Sequence, residues 1–175
     1  MDPRIERITR RIRDVPDFPR PGILFKDITP VVGDGQAFAD VIDLLALRYA
    51  GKDVGAVVAI EARGFLFGGA LAARLGCGVA LVRKQGKLPY RSDRVSYALE
   101  YGEGTLEMHV DALARGQRVI IVDDLLATGG TARAAAELCV RQGAEILEYA
   151  FLVELGFLDG RERLRPTPVH ALVKF

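Results

Sequence analysis

A chain of 175 residues carries 24 basic and 23 acidic side chains, a formal net charge of +1, so it presents no broad field for nucleic acid or an anionic membrane. Half its residues are hydrophobic, which fits an ordered globular protein with a full core and argues against disorder. No run of about 18 apolar residues occurs, the N-terminus is charged where a secretory leader needs an apolar stretch, and Cys77 and Cys139 lie far apart in apolar segments, so a reduced, cytoplasmic protein is expected.

The length suits one domain, residues 1–175. Ile5, Ile8, Ile12 and Val15 recur at helical spacing and predict a first amphipathic helix, with Arg4, Arg7, Arg10, Arg11 and Arg13 as its solvated face. A lone basic helix is too little for a DNA-reading module. Pro16, Pro19, Pro21 and Gly22 break the helix, and the apolar run from Gly22 to Pro30 reads by itself as an edge strand. Asp34 is placed to cap a helix with Phe38, Val41, Ile42, Leu45 and Tyr49 on one face. Gly55 to Ile60 predicts a buried strand, Glu61 to Phe65 a turn, Phe65 to Leu75 a helix packed closely through Gly68 and Gly69, and Gly78 to Val82 a second strand. Together these make a right-handed βαβ unit.

Arg63 falls at the carboxyl end of a strand, where open α/β sheets place ligands, although a surface turn would look the same. Arg83, Lys84, Lys87, Arg91 and Arg94 follow the next strand, interrupted by Gly86 and Pro89; they fit either a solvated charge run or a loop closing over an anion. Residues 92–109 alternate, turn at Tyr101-Gly102-Glu103-Gly104 and extend again, as a flexible hairpin lid would.

Val119 to Val122 then predicts a strand buried on both faces, with Asp123 and Asp124 at its end. Ala127-Thr128-Gly129-Gly130-Thr131 makes a small-residue turn into a helix from Ala132 to Gln142, with Ala132, Ala135, Ala136, Cys139 and Val140 on its inner face and Gly143 as its stop. Such a turn aims backbone N–H groups and a helix dipole at one spot, which suits a phosphate. Neither a Walker nor a Rossmann loop is present. Carboxylates repel phosphate, so Asp123 and Asp124 suit hydroxyl donors, and a phosphate beside a diol is a ribose 5-phosphate. An Asp pair holding Mg²⁺ or capping the helix is the plainer alternative. A strand over Ile146–Leu155, a short helix over Phe157–Leu164 and a strand over Val169–Val173 complete an α/β fold: a doubly wound, mainly parallel sheet of about five strands with flanking helices.

Residues 119–131 resemble the phosphoribosyl-diphosphate signature of the type I phosphoribosyltransferases, and the run Leu125 to Thr131 is closest to the adenine phosphoribosyltransferases within them. The resemblance extends to Phe18-Pro19…Pro21-Gly22…Phe25-Lys26-Asp27-Ile28, Ala62-Arg63-Gly64-Phe65, Lys84-Gln85-Gly86-Lys87-Leu88-Pro89 and Ser96-Tyr97…Leu99-Glu100-Tyr101-Gly102. It implies a small N-terminal hood (about 1–33) in which Leu24 and Lys26 offer backbone groups to adenine and Phe25 lies against the ring. It implies diphosphate contacts for Arg63 and Lys87, with Lys84 and Arg83 in support, and a lid over about 84–109 carrying Glu100 to the attacking base. Glu103 and Glu107 are expected to tolerate changes that Glu100 does not.

The implied reaction is adenine plus phosphoribosyl diphosphate giving AMP plus diphosphate, with Mg²⁺ carried by the substrate near Asp123 and Asp124. The implied assembly is a homodimer, with no nucleic acid or membrane partner. A catalytically silent regulator is the distant alternative, and an enzyme for hypoxanthine, guanine, xanthine or orotate the nearer one. The hood separates them.

Overall fold

The computed structural model of the chain describes residues 2–98 and 103–175. Its first helix, α1 (Pro3–Arg11), is capped by Asp2, whose carboxylate accepts from Arg4 N at 2.9 Å, and it buries Ile8. The basic face is neutralised within the chain: Arg4 pairs with Asp2, Arg7 with Asp40, Arg10 with Glu6, Arg11 with Asp34 and Arg13 with Asp27. That agrees with a solvated face. The helix stops earlier than the spacing through Val15 predicts. Residues Arg13–Pro16 instead form strand β1, antiparallel to β2 (Leu24–Asp27), because pairing with β2 and the coming Pro16 both demand extended backbone.

A short helix, α2 (Thr29–Gly33), leads to α3 (Gly35–Tyr49), where Asp34 accepts from Gln36 N at 3.0 Å and Ala37 N at 2.9 Å. Strand β3 (Ala56–Ile60) is buried along its length. Helix α4 (Gly64–Leu75) returns to β4 (Gly78–Lys84), with Gly76 left-handed at φ 73°. Of the two glycines expected to allow close packing, only Gly68 is needed: a Cβ there would lie 2.5 Å from Ala59 Cβ, whereas one on Gly69 meets nothing within 4 Å. Strands β5 (Ser92–Ala98) and β6 (Glu103–His109), β7 (Arg118–Leu126), α5 (Gly130–Arg141) and β8 (Glu145–Glu154) follow. Two 3₁₀ turns, Gly156–Leu158 and Gly160–Leu164, precede β9 (Val169–Lys174).

The main sheet has the order β5-β6-β4-β3-β7-β8-β9. The five strands from β4 to β9 are parallel, matching the expected five; β6 and β5 extend the sheet antiparallel beyond β4. Helices α1, α3 and α4 cover one face and α5 the other, each over its own apolar cluster. Burying each Val or Ile of β3 and β7 is worth about 1.5–3 kcal/mol, which makes these strands the centre of the fold. On α5, Ala132, Ala135, Ala136 and Cys139 face inward as expected, but Val140 is 62% exposed. From β3 the chain crosses over to β4 on one side, and from β7 to β8 on the other. The carboxyl ends of β3 and β7 therefore flank the crevice where such sheets bind ligands.

Candidate active site

The loop after β7 is built for an anion. Gly129, at φ 82°, is the N-cap of α5 and supplies no side chain to the first-turn amides, whereas those of α3 are occupied by Asp34. Ala127, Thr128, Gly129, Gly130 and Thr131 line a cavity of about 80 Å³ together with Asp123 and Phe151. The 3₁₀ segment backs the loop so tightly that a Cβ on Gly129 would sit 2.6 Å from Gly160 O, and one on Gly160 2.0 Å from Ala127 O. Nothing near Gly160 in the sequence marks it for this role, because Ala127 and Gly129 lie 33 and 31 residues before it.

The two acids differ. Asp124 is buried, and its Oδ2 lies 2.7 Å from Arg63 Nε but has no hydrogen bond of regular geometry. Asp123 is partly buried and its Oδ1 accepts from Asp124 N at 2.8 Å. Burial, then the neighbouring Asp124 charge, pushes the Asp123 carboxyl well above the usual range, against a partial pull from Arg63. Arg63 comes from the turn after β3 and its guanidinium lies 5.7 Å from the centre of the Phe25 ring in the hood. Phe25 also meets Phe18 edge to face at 5.1 Å. The hood thus touches the residue that touches the β7 acids.

The loop cations gather around an acid that sequence reasoning did not single out. Glu61, 5% exposed at its side chain, pairs with Lys87 Nζ, takes Arg83 Nε at 3.2 Å and accepts from Lys84 N at 3.0 Å. Burial alone would raise its pKa, but Lys87, the Lys84 amide and Arg83 outweigh that and hold it below the ordinary value. The signal available was a Glu directly after a buried strand. Glu107 is a correction: expected to be an expendable hairpin charge, it is 1% exposed, accepts from Gly86 N at 2.9 Å and lies 2.7 Å from Arg94 Nε. Strand pairing on both sides of β6 is what buries it. Glu103 is exposed. Glu100 lies outside the described residues.

In the hood, Leu24 is 49% exposed, and Lys26 Nζ is held by Asp14 at 2.6 Å and over the Phe175 ring at 4.0 Å. Only the backbone of Lys26 is left for a ligand. A larger hollow of about 580 Å³, lined by Arg4, Asp43, Tyr49, Asp53 and Arg74 among others, sits at the amino end of β3, away from these loops; Arg74 pairs with Asp43 across it, Arg4 with Asp2 and Asp53 with Arg118. For magnesium, no group of three potential ligands exists among the described residues. The Asp123–Asp124 pair suits an ion that keeps most of its ligands from water and substrate phosphates, the ordinary habit of Mg²⁺.

The phosphoribosyl transferase domain family matches residues 32–169 of this chain. The adenine phosphoribosyltransferase of Anaeromyxobacter dehalogenans (strain 2CP-1 / ATCC BAA-258) is 56% identical, over 98% of this chain and 99% of its own. Among solved structures, adenine phosphoribosyltransferase from Thermoanaerobacter pseudethanolicus ATCC 33223 has a TM-score of 0.95 at 51% identity, covering 98% of this chain and 99% of that one. The Saccharomyces cerevisiae enzyme, solved with D-DIAB and adenine, has a TM-score of 0.94 at 40% identity, over 98% and 99%. The general family match begins after the hood strands, and the adenine-specific relatives extend through them. The chain therefore belongs to the phosphoribosyl transferase domain family and, within it, to the adenine phosphoribosyltransferases.

Proposed function

We propose that this chain joins adenine to the ribosyl carbon of phosphoribosyl diphosphate, forming AMP and releasing diphosphate. The observation that carries this reading is the line from Phe25 to Arg63 to Asp124, and through the adjoining Asp123 to the cavity of the 127–131 loop. It supports a base site, a ribose site and a 5-phosphate site in the order the product needs. Pro16 cannot donate to the hood ladder, so its pairing with Leu24 suits a non-hydrogen-bonded position. By alternation, the backbone groups of Leu24 and Lys26 then point away from β1, free for the edge of a base.

Bond formation at N9 of adenine breaks the bond from the ribosyl carbon to diphosphate, and the ring proton must leave the base. Positive charge builds on the sugar as the leaving group departs. The 127–131 loop anchors the 5-phosphate, Asp123 and Asp124 hold the ribose hydroxyls, and Arg63, Lys87, Arg83 and Lys84 stabilise the departing diphosphate. Bound Mg²⁺, arriving with the substrate near the two aspartates, would neutralise further charge on the diphosphate. Glu100, on the lid of about 84–109, accepts a hydrogen bond from the base, and closure excludes water from the reacting carbon. Residues 1–175 act as one domain with a hood over about 1–33.

A homodimer fits the apolar side chains that β4 and its surroundings leave uncovered, Val79, Leu81, Leu66 and Tyr90, each 40–56% exposed. Sedimentation at micromolar concentration tests it; a monomer would refute it. The function itself is tested by turnover of phosphoribosyl diphosphate with a panel of bases. Adenine should exceed hypoxanthine and guanine by several orders of magnitude, because a backbone acceptor for the exocyclic amine meets a like lone pair on a 6-oxo base. Equal turnover of adenine and hypoxanthine would overturn the base assignment.

A further inference from the structure

We propose that Glu107 is a positioning residue for the diphosphate loop: it holds the Gly86 turn so that Arg83 and Lys87 present their charges to the leaving group. The inference rests on the diphosphate assignment of Arg83 and Lys87 made above.

Glu107 lies on β6 with Arg94 as its register partner on β5 and Arg83 on β4. It is almost wholly buried, although an apolar side chain would occupy such a position at lower desolvation cost. One oxygen takes the Gly86 amide at 2.9 Å; the other lies 2.7 Å from Arg94 Nε without a hydrogen bond of regular geometry. A carboxylate retained under these conditions calls for a role beyond packing.

The loop it touches is pinned one amide at a time. Lys84 N donates to Glu61, Gln85 N to Thr105 O at 3.1 Å, and Gly86 N to Glu107. Gly86 sits at φ 81°, a conformation that glycine adopts at little cost, and turns the chain into Lys87. Lys87 then reaches Glu61 through its ammonium, and its carbonyl accepts from Arg83 Nη1 at 3.1 Å. Both cations therefore depend on where the Gly86 turn stands, and Glu107 is the side chain that anchors that turn to the hairpin.

The test separates ligands that contain diphosphate from one that does not. Titration calorimetry with magnesium diphosphate and, separately, AMP is run on wild type, Glu107→Ala, Glu107→Gln and Glu148→Gln, the last altering a buried, paired carboxylate outside the site. Glu107→Ala should weaken diphosphate about tenfold or more, the scale of one charged hydrogen bond. It should raise the KM for phosphoribosyl diphosphate in step and leave AMP affinity within about twofold. Glu107→Gln, which still accepts from Gly86 N, should recover most of the loss, and Glu148→Gln should move neither affinity.

If Glu107→Ala fails to fold, Gly86→Ala probes the same turn: its methyl meets nothing within 4 Å, yet it strains the positive φ. It should show the same diphosphate-selective loss. Equal weakening of AMP and diphosphate, or unchanged diphosphate affinity in a folded Glu107→Ala or Gly86→Ala protein, would overturn the proposal. A wild-type protein that binds diphosphate but does not turn over adenine would overturn the adenine reading alone, and the selective loss would still support Glu107. Failure of wild type to bind diphosphate would overturn the loop assignment and this proposal with it.

Discussion

The acids of two neighbouring parallel strands, β8 and β7, show how differently one sheet treats its carboxylates. On β8, Glu148 is 4% exposed and fully served: Arg48 donates twice, at 2.6 and 2.5 Å, and Tyr49 O–H once at 2.8 Å. Burial would raise its pKa, but the Arg48 and Tyr49 bonds outweigh that and hold it below the ordinary value. In the carboxyl-terminal half of β7, Asp123 and Asp124 are adjacent, with Arg63 paired to Asp124 and the Asp124 amide donating to Asp123. Asp123 is pushed up instead of down. A satisfied carboxylate belongs to the fold. A crowded pair of carboxylates beside a ligand crevice is unfavourable until something binds, which is how a functional site differs from a structural one.

The sharpest way to break this contrast is to neutralise each acid in place. Asp124→Asn should lower turnover by about a hundredfold or more, as loss of a charge aimed at the reacting sugar does, while the melting temperature hardly moves. Loss of activity that merely tracks unfolding, followed by circular dichroism, would make the β7 pair structural. Glu148→Gln should do the reverse. It should cost about 3 kcal/mol of stability, the low end for a broken buried pair because Arg48 is partly exposed, and leave the KM values unchanged where the protein is folded. Denaturant melts and steady-state kinetics on one preparation decide it.

The pH dependence of stability should carry opposite signs at the two places. The folded pKa of Asp123 lies above its ordinary 3.8, so its contribution is full below that value and is lost as pH rises through the folded pKa. Asp123→Asn should therefore melt higher than wild type at pH 8, with the gap closing towards pH 4. The folded pKa of Glu148 is depressed, so its contribution is present above about 4.5 and is lost as pH falls through the folded value. The Glu148→Gln deficit should shrink in acid. Parallel melting curves for the two variants across this range would erase the distinction. As a baseline, Arg10→Ala removes the exposed partner of Glu6 at 3.5 Å and should change stability by less than about 0.5 kcal/mol.

The local chemistry of this protein was legible in its residue order. The buried strand at 119–122, the small-residue turn at 127–131 and the capping by Asp34 all depend on neighbours within a few positions; the strand itself runs on through Asp123 and Asp124 to Leu126, because pairing with β8 continues past them. Periodicity, propensity and turn chemistry act over that range, so reading the chain in order recovers them. The five parallel strands follow for the same reason, since each βαβ unit announces itself by alternating strand and helix signals.

What only the tertiary structure decided involves partners distant in sequence. Pairing with β2 turned Val15 from a helix face into a strand. Register on both sides of β6 buried Glu107, and the packing of Gly160 beneath Ala127 shaped the phosphate loop. Glu61 became the hub of Arg83, Lys84 and Lys87 because β3 and β4 end side by side. Burial and charge pairing between remote segments are properties of the closed fold, and no window along the chain contains both partners at once.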